Sequence, residues 1–356
     1  IPAPLKPGQV EEKIFQAIYQ MPDIDTGSEA AVRNYVQGLD ALTRGTAGGN
    51  TTCVEVRAGG ALFVIDAGSG IRDLGLELMK GPLGRGEGEM HLFFSHPHWD
   101  HIQGFPFFIP AFIPGNRIVI YSVHDMKKAL SDQQRFLNFP VPMSIMEASI
   151  EFVRLEEGQP FTVEDVLVNT IRNAHPGDSY GYRFEDAYSS FVFASDSEYK
   201  NLDDASMRPP MSFFQEADAL IFDAQYTLDE GWVKQDWGHS SALIGVEMAL
   251  AAGVKKLVLF HHEPTNDDTV LQQILADAEG YRDELGGRKA LEIVVAYEGL
   301  GLDLAPEGAV ATTPAKAGGE KEGEYKGAAP AKVGVLGPEG VFNEQSGPHV
   351  AEQLLV

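Results

Sequence analysis

Short apolar runs, rich in β-branched and aromatic residues, recur along the middle of the chain and predict buried strands. Glycine, proline or aspartate bounds most of these runs, as is typical of strands in a folded core. None of them is long enough to predict a helix by itself. The predicted strands cover residues 53–56, 62–65, 91–94, 118–121, 166–171, 190–194, 219–222, 256–260 and 292–296.

Helical spacing of apolar residues occurs before and between these strands. Apolar positions three and four residues apart predict helices at 11–19, 29–42, 205–215, 240–252 and 269–285. Strands and helices interleaved in this way predict an α/β (α+β) sandwich, in which helices cover the sheets.

Changes in composition divide the chain into four segments. Residues 1–45 predict an irregular, helical lead-in or insertion that forms a lid or a homodimer contact, and residues 46–304 predict the main domain. Residues 305–332 are rich in Ala, Gly, Pro, Lys and Glu and predict a low-complexity linker. Residues 333–356 are too few to build a core and predict a tail or the truncated start of another segment.

Acidic residues outnumber basic ones by 52 to 27, which gives a formal net charge of −25. This charge disfavours binding of a long nucleic acid, because phosphate contacts require a basic surface. The composition also excludes collagen-like, disulfide-rich and fully disordered classes. The chain has a single cysteine, no apolar run long enough to span a bilayer and no visible signal peptide, and it therefore predicts a cytoplasmic protein without membrane segments.

Metal-binding residue types follow several of the predicted strands directly. Strands that share a sheet can deliver the residues after their ends to one edge, where loops build sites on a rigid scaffold. One such position means little, but the repetition along this chain predicts a common site. The residues at these positions are Asp66, His96, His175, Asp196, Asp223, His261 and His262.

The densest cluster is residues 96–101, which read His-Pro-His-Trp-Asp-His. Alternate residues of an extended segment share a face, so His96 and His98 can bind one ion together. Asp100 and His101 follow where the chain turns and can point to a second ion. Imidazole and carboxylate ligands suit zinc, with manganese or iron as alternatives. We therefore predict two divalent metal ions, zinc first among them.

Residues 96–101, with residues 64–70 before them, resemble the metallo-β-lactamase-fold hydrolases over about residues 46–304. The resemblance implies a four-layer αββα sandwich with a two-metal site at one edge of its sheets. It also implies that Asp66 supports the ligand histidines. The implied ligands of one ion are His96, His98 and His175, those of the other are Asp100, His101 and His261, and Asp196 bridges the two ions.

Two further segments are similar to the branch of this family that contains tRNase Z and related phosphodiesterases. His175 is followed within a few residues by Gly-Tyr-Arg, and residues 238–240 read Gly-His-Ser. In that branch the histidine of the second segment takes part in proton transfer to the leaving group, which implies this role for His239. Asp223 is the candidate carboxylate that orients it, and the alternative for His239 is packing at a helix start.

Three residues keep more than one interpretation. His261 and His262 are adjacent, so in an extended chain only one points into the site. We take His261 as the ligand, and His262 as a residue that supports a neighbour or shapes the entrance. Trp99 is either a substrate platform or a packing residue.

A related subgroup of proteins has a strand before the segment that corresponds to residues 1–4. The absence of this strand here predicts an exposed sheet edge.

These residues predict a two-metal hydrolase, with a small phosphodiester such as a cyclic nucleotide as its substrate. A hydroxide shared by two ions attacks the phosphorus, while Asp100, His239 and Asp223 complete the catalytic set. The acidic surface favours a small-molecule substrate held by the metals alone. Two alternatives stay open, an acyl hydrolase of the lactonase or thioesterase type and a sensor or effector module of a larger signalling protein.

Overall fold

The computed structural model describes residues 5–200, 204–304 and 332–335, and in this part of the chain the strands form two seven-stranded sheets. The strands of the first sheet are β1 (Val54–Ala58), β2 (Ala61–Ile65), β3 (Glu89–Phe93), β4 (Arg117–Ser122), β5 (Ser149–Arg154), β13 (Gly301–Asp303) and β14 (Lys332–Val335). Their spatial order is β13-β14-β1-β2-β3-β4-β5. Strands β2 to β5 run parallel, whereas β13, β14, β1 and β2 pair antiparallel.

The second sheet is built mainly from the following part of the chain. Its strands are β6 (Phe161–Val163), β7 (Val166–Asn173), β8 (Ser179–Glu185), β9 (Ser190–Ala194), β10 (Ala219–Asp223), β11 (Lys256–Phe260) and β12 (Glu292–Val295). They lie in the order β12-β11-β10-β9-β8-β7-β6. Strands β9 to β12 are parallel, and β6 to β9 form an antiparallel meander.

Helices lie on the outer faces of both sheets. The described helices are α1 (Pro7–Tyr19), α2 (Glu29–Gly38), α3 (Ala41–Arg44), α4 (Gly70–Leu78), α5 (Trp99–Ile102), α6 (Met126–Gln133), α7 (Asp204–Phe214), α8 (Leu228–Val233), α9 (Ala242–Ala252) and α10 (Asp268–Glu284). Short 3-10 turns cover Pro82–Arg85, Phe105–Phe107, Ile109–Phe112 and Met143–Ile145.

Three apolar clusters produce the layered arrangement. Strand β2 shows the principle, because its successive side chains point to opposite faces. Phe63 and Ile65 belong to the cluster between the two sheets, whereas Leu62 and Val64 pack against α4 in a second cluster. A third cluster joins the outer face of the second sheet to α9 and α10. The order is therefore helix, sheet, sheet, helix, and the expected αββα sandwich is confirmed.

The N-terminal segment packs on the main domain through polar contacts and through one buried side chain, Leu42, in the third apolar cluster. The expected helix over 29–42 divides in two, because Asp40 caps a separate helix by accepting N–H groups of Leu42 and Thr43. Lys13 of α1 pairs with Asp268 at 2.8 Å, and both side chains are largely buried. Only Leu42 is buried among the residues of α1, α2 and α3.

The expected exposed edge next to β1 is not found. Strand β14 pairs antiparallel with β1, with Val54 opposite Val335 and Arg57 opposite Lys332. The partner strand comes from far along the chain, so no local pattern near the N-terminus could reveal it. Residues 305–331 and 336–356, which contain most of the predicted linker and tail, lie outside the described residues.

Candidate metal centre

The loops at one edge of the two sheets bring the predicted metal-binding residues together. In the first sheet, Asp66 directly follows β2, and His96 lies shortly after β3. In the second sheet, Asp196 lies after β9 and His261 directly follows β11. Strand β2 runs parallel to β3, and β9 and β11 both run parallel to β10, so the relevant strand ends meet at one edge of each sheet.

Three of these residues have a left-handed backbone conformation, although none is glycine. The φ angles are +61° at Asp66, +55° at Asp196 and +57° at His261. Such conformations cost about 1–3 kcal/mol each and persist only where the surroundings enforce them, which often happens at functional sites. In this site, the left-handed conformations change the direction of each side chain sharply after the end of its strand.

The first group consists of three histidines. One ligand nitrogen from each of His96, His98 and His175 lies within 4.8 Å of the others. Nδ1 of His98 lies only 3.2 Å from Nε2 of His175. Converging ring nitrogens of this kind match a site that holds one cation through imidazole ligands.

The second group combines two carboxylates with two histidines. Oδ2 of Asp100 lies 3.3 Å from Nε2 of His101 and also 3.3 Å from Nε2 of His261. Asp196 completes the set, and candidate ligand atoms of all four residues lie within 4.8 Å of one another. The mixed nitrogen and oxygen donors suit zinc, manganese or iron.

Asp196 stands between the two groups. Its Oδ2 lies 3.8 Å from Nε2 of His96 and from Nε2 of His175, both in the first group. Its Oδ1 lies 3.3 Å from Nε2 of His101, and its Oδ2 lies 3.5 Å from Nε2 of His261. One carboxylate therefore faces both groups, the position that a bridging ligand requires.

Unpartnered buried nitrogens supply a test of whether these residues fit metal ions. Nε2 of His96 and Nε2 of His101 are buried and make no hydrogen bond in the described part of the chain. A buried polar atom without a partner costs about 1–3 kcal/mol. A cation in each group would satisfy both nitrogens, so the residues fit a two-metal centre.

The charges of the two groups differ in the absence of cations. Burial, reinforced by the neighbouring His101, lowers the pKa of His96 well below its ordinary value. Burial opposes protonation of His261 as well, but Asp196 and Asp100 raise its pKa to about 9. The pKa of Asp196 lies well below its ordinary value, since His101 and His261 outweigh its burial. The carboxylates of the second group therefore favour positive charge at its histidine positions, as a bound cation would supply.

Asp66 and Ser95 contact the Nδ1 atoms of two predicted ligand histidines, on the side of each ring away from the site. Asp66 accepts hydrogen bonds from the backbone N–H of Ser95 at 2.8 Å and from its hydroxyl at 2.7 Å. Its Oδ2 also accepts from Nδ1 of His101 at 2.8 Å. Ser95 Oγ lies 3.0 Å from Nδ1 of His96. These contacts leave the Nε2 atom of each histidine facing the site.

The segment after α8 contributes two contacts to the site. Nδ1 of His175 donates to the backbone carbonyl of Gly238 at 3.0 Å, which directs Nε2 toward Asp196. Nδ1 of His239 lies 2.8 Å from Oδ2 of Asp223, a carboxylate with no solvent exposure. The predicted partnership of these two residues is therefore present in the geometry, and the histidine ring stacks on His261 at 5.0 Å.

Other predicted residues lie outside the ligand groups. Nε2 of His262 donates to the carbonyl of Ala296 at 3.0 Å, and burial lowers the pKa of this histidine to about 4. Trp99 is 65% exposed, which disfavours the packing interpretation.

Three residues beside the site were not identified from the sequence. Ser95 and Gly238 act on the histidines through a hydroxyl and a backbone carbonyl, and Glu198 accepts hydrogen bonds from the backbone N–H groups of Asp236 and Gly238. Ser95 precedes the first histidine and Gly238 precedes His239, so their positions next to motif residues were the available signals.

A cavity of about 540 Å³ opens beside the second group. Asp100, His239 and His261 line this cavity together with Lys6 and Gln9 of the N-terminal segment. The volume is within the range of about 300–1,000 Å³ that is usual for small-molecule sites. The N-terminal segment therefore contributes directly to the space next to the candidate metal centre.

Comparison of this sequence with known proteins identifies a family and several relatives. A family model described as the beta-lactamase superfamily domain matches residues 62–262, from the second strand to the last histidine pair. Ribonuclease Z from Halobacterium salinarum is 25% identical over 259 residues, which cover 60% of this chain and 81% of that protein.

Solved structures share the fold at low sequence identity. The metallo-beta-lactamase fold protein YhfI from Bacillus subtilis superimposes with a TM-score of 0.52 at 20% identity, covering 69% of this chain and 88% of that one. Unliganded yeast PDE1 gives a TM-score of 0.51 at 13% identity, covering 70% and 93%. At these identities the superpositions show the fold alone. Among the described helices, none is both long and apolar enough to cross a membrane.

Proposed function

Since the chain belongs to the beta-lactamase superfamily, we propose that it is a two-metal phosphodiesterase that acts on a small phosphodiester. It is a hydrolase of the metallo-β-lactamase fold, and the proposal concerns its metals, substrate and residues. One observation carries it, the single carboxylate of Asp196 between the three-histidine group and the Asp100, His101 and His261 group.

The proposed ligands are His96, His98 and His175 for one ion, Asp100, His101 and His261 for the other, and Asp196 for both. Zinc is the first choice of metal, because five of these seven ligands are imidazoles, and manganese or iron are the alternatives. Divalent ions in such a pair supply hydroxide near neutral pH and offset negative charge on phosphate oxygens.

The residues of the chain itself would bind the ions, aim the ligands and move one proton. Asp66 keeps the Nδ1 proton of His101 in place, so that Nε2 remains a ligand. Asp223 does the same for Nδ1 of His239. A protonated Nε2 of His239 can then donate to the leaving oxygen, the general-acid role expected from the sequence.

The charge of the cavity supports a small substrate with one phosphate. The cavity lining contains one lysine, Lys6, against five carboxylates that belong to Asp100, Glu263, Asp267, Asp268 and Glu298. A second phosphate of a long RNA would meet negative charge there and over most of a surface of net charge −25. Trp99, exposed beside the ligands, is the proposed platform for an apolar part of the substrate.

A panel of substrates tests the proposal. The metal-replete chain is assayed with bis(p-nitrophenyl) phosphate, a cyclic nucleotide, an acyl lactone and a precursor tRNA. We expect hydrolysis of both small diesters and at least hundredfold lower kcat/KM for the lactone and the RNA. Preferred hydrolysis of the lactone would establish an acyl hydrolase instead, and preferred cleavage of the RNA would establish a ribonuclease.

The Asp196→Ala variant ties this activity to the metal centre. We expect its diesterase activity to fall at least a thousandfold, because both metal groups lose a shared ligand. Asp186→Asn is the matched control, since Asp186 accepts backbone N–H groups in the turn after β8, away from the metal groups. Full activity together with full metal content in Asp196→Ala would contradict the proposal.

A further inference from the structure

Residues 236–240 connect the two parts of the site that the proposed function uses. The carbonyl of Gly238 receives the hydrogen bond from Nδ1 of His175. The next residue, His239, pairs with Asp223. A small displacement of this segment would therefore move a metal ligand and the proton donor together.

Glu198 holds this segment with both oxygens of its carboxylate. Oε1 accepts the backbone N–H of Asp236 at 3.1 Å, and Oε2 accepts the backbone N–H of Gly238 at 3.0 Å. The Glu198 side chain is only 9% exposed, and its hydrogen bond with Gly238 is partly buried, whereas the one with Asp236 is exposed. The ammonium of Lys200 lies 3.4 Å away and offsets the charge of the carboxylate.

The segment needs such an anchor because its backbone is unfavourable by itself. Asp236 has φ of +72° and Gly238 has φ of +88°, so two of three consecutive residues are left-handed. The left-handed conformation of a non-glycine residue such as Asp236 costs about 1–2 kcal/mol. The hydrogen bonds from these backbone N–H groups to Glu198 therefore stabilise a conformation that Asp236 adopts at a cost.

The fit between this segment and His175 is close. A Cβ atom placed on Gly238 would lie 2.2 Å from Nδ1 of His175 and 2.5 Å from Cδ of Pro176. Glu198 also contacts the other side of this histidine, because its own backbone N–H donates to the carbonyl of Ala174 at 2.9 Å. One residue thus ties the chain on both sides of the imidazole.

We propose that Glu198 is a positioning residue, which fixes the Gly238 carbonyl that orients His175 and the backbone that presents His239. The inference rests on the proposed two-metal function and adds a residue that touches neither metal nor substrate. Because His175 belongs to the three-histidine group, loss of Glu198 would weaken the binding of one metal ion more than the binding of the other. It would also misplace the proton donor.

Glu198→Gln and Glu198→Ala test the metal part of this inference. The glutamine keeps one acceptor but turns an NH₂ group toward a backbone N–H, and the alanine removes both acceptors. Each chain, stripped of metal, is titrated with cobalt(II) while its absorption spectrum is recorded. We expect one of the two binding steps to weaken about 10- to 100-fold, as for other residues that orient metal ligands, and the other to change less than threefold.

Asp218→Asn is the matched control. Asp218 is also a partly buried carboxylate that accepts a backbone N–H, that of Ser190, and is paired with Lys255. It lies at the end of β9 away from Asp196, so cobalt binding should stay as in the parent chain. Equal weakening of both steps in the Glu198 variants, or unchanged binding, would overturn the inference.

Leaving groups test the proton-donor part. Bis(p-nitrophenyl) phosphate releases a weakly basic phenolate, whereas a cyclic nucleotide releases an alkoxide that needs a proton. In Glu198→Gln we expect kcat for the cyclic nucleotide to fall at least tenfold more than kcat for the aryl diester. Equal losses would overturn this part. If the parent chain hydrolyses neither diester, the proposed function fails, while the cobalt titration still decides the role of Glu198.

Discussion

Oδ2 of Asp66 lies 2.8 Å from Nδ1 of His101, and neither side chain has any solvent exposure. The pair joins the end of β2 to the predicted metal-binding segment after β3. Burial raises the pKa of Asp66 even against His101, whereas the surrounding carboxylates, Asp196 first, raise the pKa of His101 well above its ordinary value. The carboxylate therefore determines which ring nitrogen of His101 faces the candidate metal site.

Replacement of Asp66 should weaken metal binding without removing a ligand. In Asp66→Asn the amide can no longer ensure a proton on Nδ1 of His101, so Nε2 is lost as a ligand for part of the time. We expect metal affinity to fall about 10- to 100-fold, measured by competition with a chelating dye. Asp186→Asn is the control, and metal affinity equal to that of the parent in both variants would contradict this role.

Metal binding should release protons and strengthen as the pH rises. The pKa of His261 is raised to about 9 in the metal-free chain, so at pH 7 its ring carries a proton that a metal ion must displace. Each proton released gives about a tenfold gain in affinity per pH unit below that pKa. Calorimetry of zinc binding in buffers of different ionisation enthalpy should report at least one released proton at pH 7. Binding without proton release would show that the ring is neutral.

The same pKa sets the sign of a stability effect in the metal-free chain. The pKa of His261 in the folded chain, about 9, exceeds its ordinary value of 6.5. The stabilisation of the folded state that results from this difference is therefore complete below about pH 6.5 and is lost as the pH rises toward 9. Urea unfolding of the metal-free chain at pH 6.5 and pH 9 should show lower stability at pH 9, and higher stability there would refute the assignment.

A methyl group at Gly238 should disable the site. Gly238→Ala would place Cβ 2.2 Å from Nδ1 of His175 in a backbone with φ of +88°, so the ligand must move. We expect bound metal to drop by about one ion per chain and diesterase activity to fall at least a hundredfold. Gly280→Ala, in α10, is the control, because nothing lies within 4 Å of its Cβ and alanine favours a helix. Parent-like metal content in Gly238→Ala would contradict the geometry.

Replacement of His239, the proposed proton donor, should lower turnover and leave metal binding unchanged. His239→Asn retains a polar side chain but cannot donate a proton as an acid, so cyclic-nucleotide hydrolysis should fall about 10²- to 10⁴-fold. The aryl diester should lose at most tenfold. An equal loss of activity with both substrates would show that His239 has a structural role and does not donate the proton.

The predicted strands and ligand positions agree with the structure where the pattern is local. The expected strands at 190–194 and 256–260 correspond to β9 and β11, and Asp196 and His261 follow them. An apolar run that ends in a metal-binding residue is visible without knowledge of the fold. The sandwich followed from the alternation of strands and helices, combined with the resemblance of residues 96–101 to a known family.

Elements with weak or distant signals were not predicted. Strand β8 reads Ser-Tyr-Gly-Tyr-Arg-Phe-Glu, and β5 is an edge strand with polar alternation, so neither forms a continuous apolar run. Helix α4 begins in a glycine-rich turn, which concealed its apolar face. Strand β14 covers β1 from a position more than 270 residues later, a pairing that only the fold reveals.

The supporting residues of the site were hidden for a different reason. Glu198 and Gly238 act through backbone hydrogen bonds, and a backbone contact leaves no characteristic residue spacing in the sequence. The left-handed backbone of His261 is equally invisible, because the residue type does not require it. Sequence patterns predicted the ligand types here, whereas their orientation depends on contacts between distant segments.

The number of metal ions per chain tests the central claim most directly. Elemental analysis of the chain after metal-replete purification and removal of free metal should give two divalent ions, with zinc first among them. The same measurement on Asp196→Ala should give one ion or none, because both groups share that carboxylate. Fewer than about one ion in the parent chain, or two ions retained in Asp196→Ala, would contradict a centre in which Asp196 joins two metal sites.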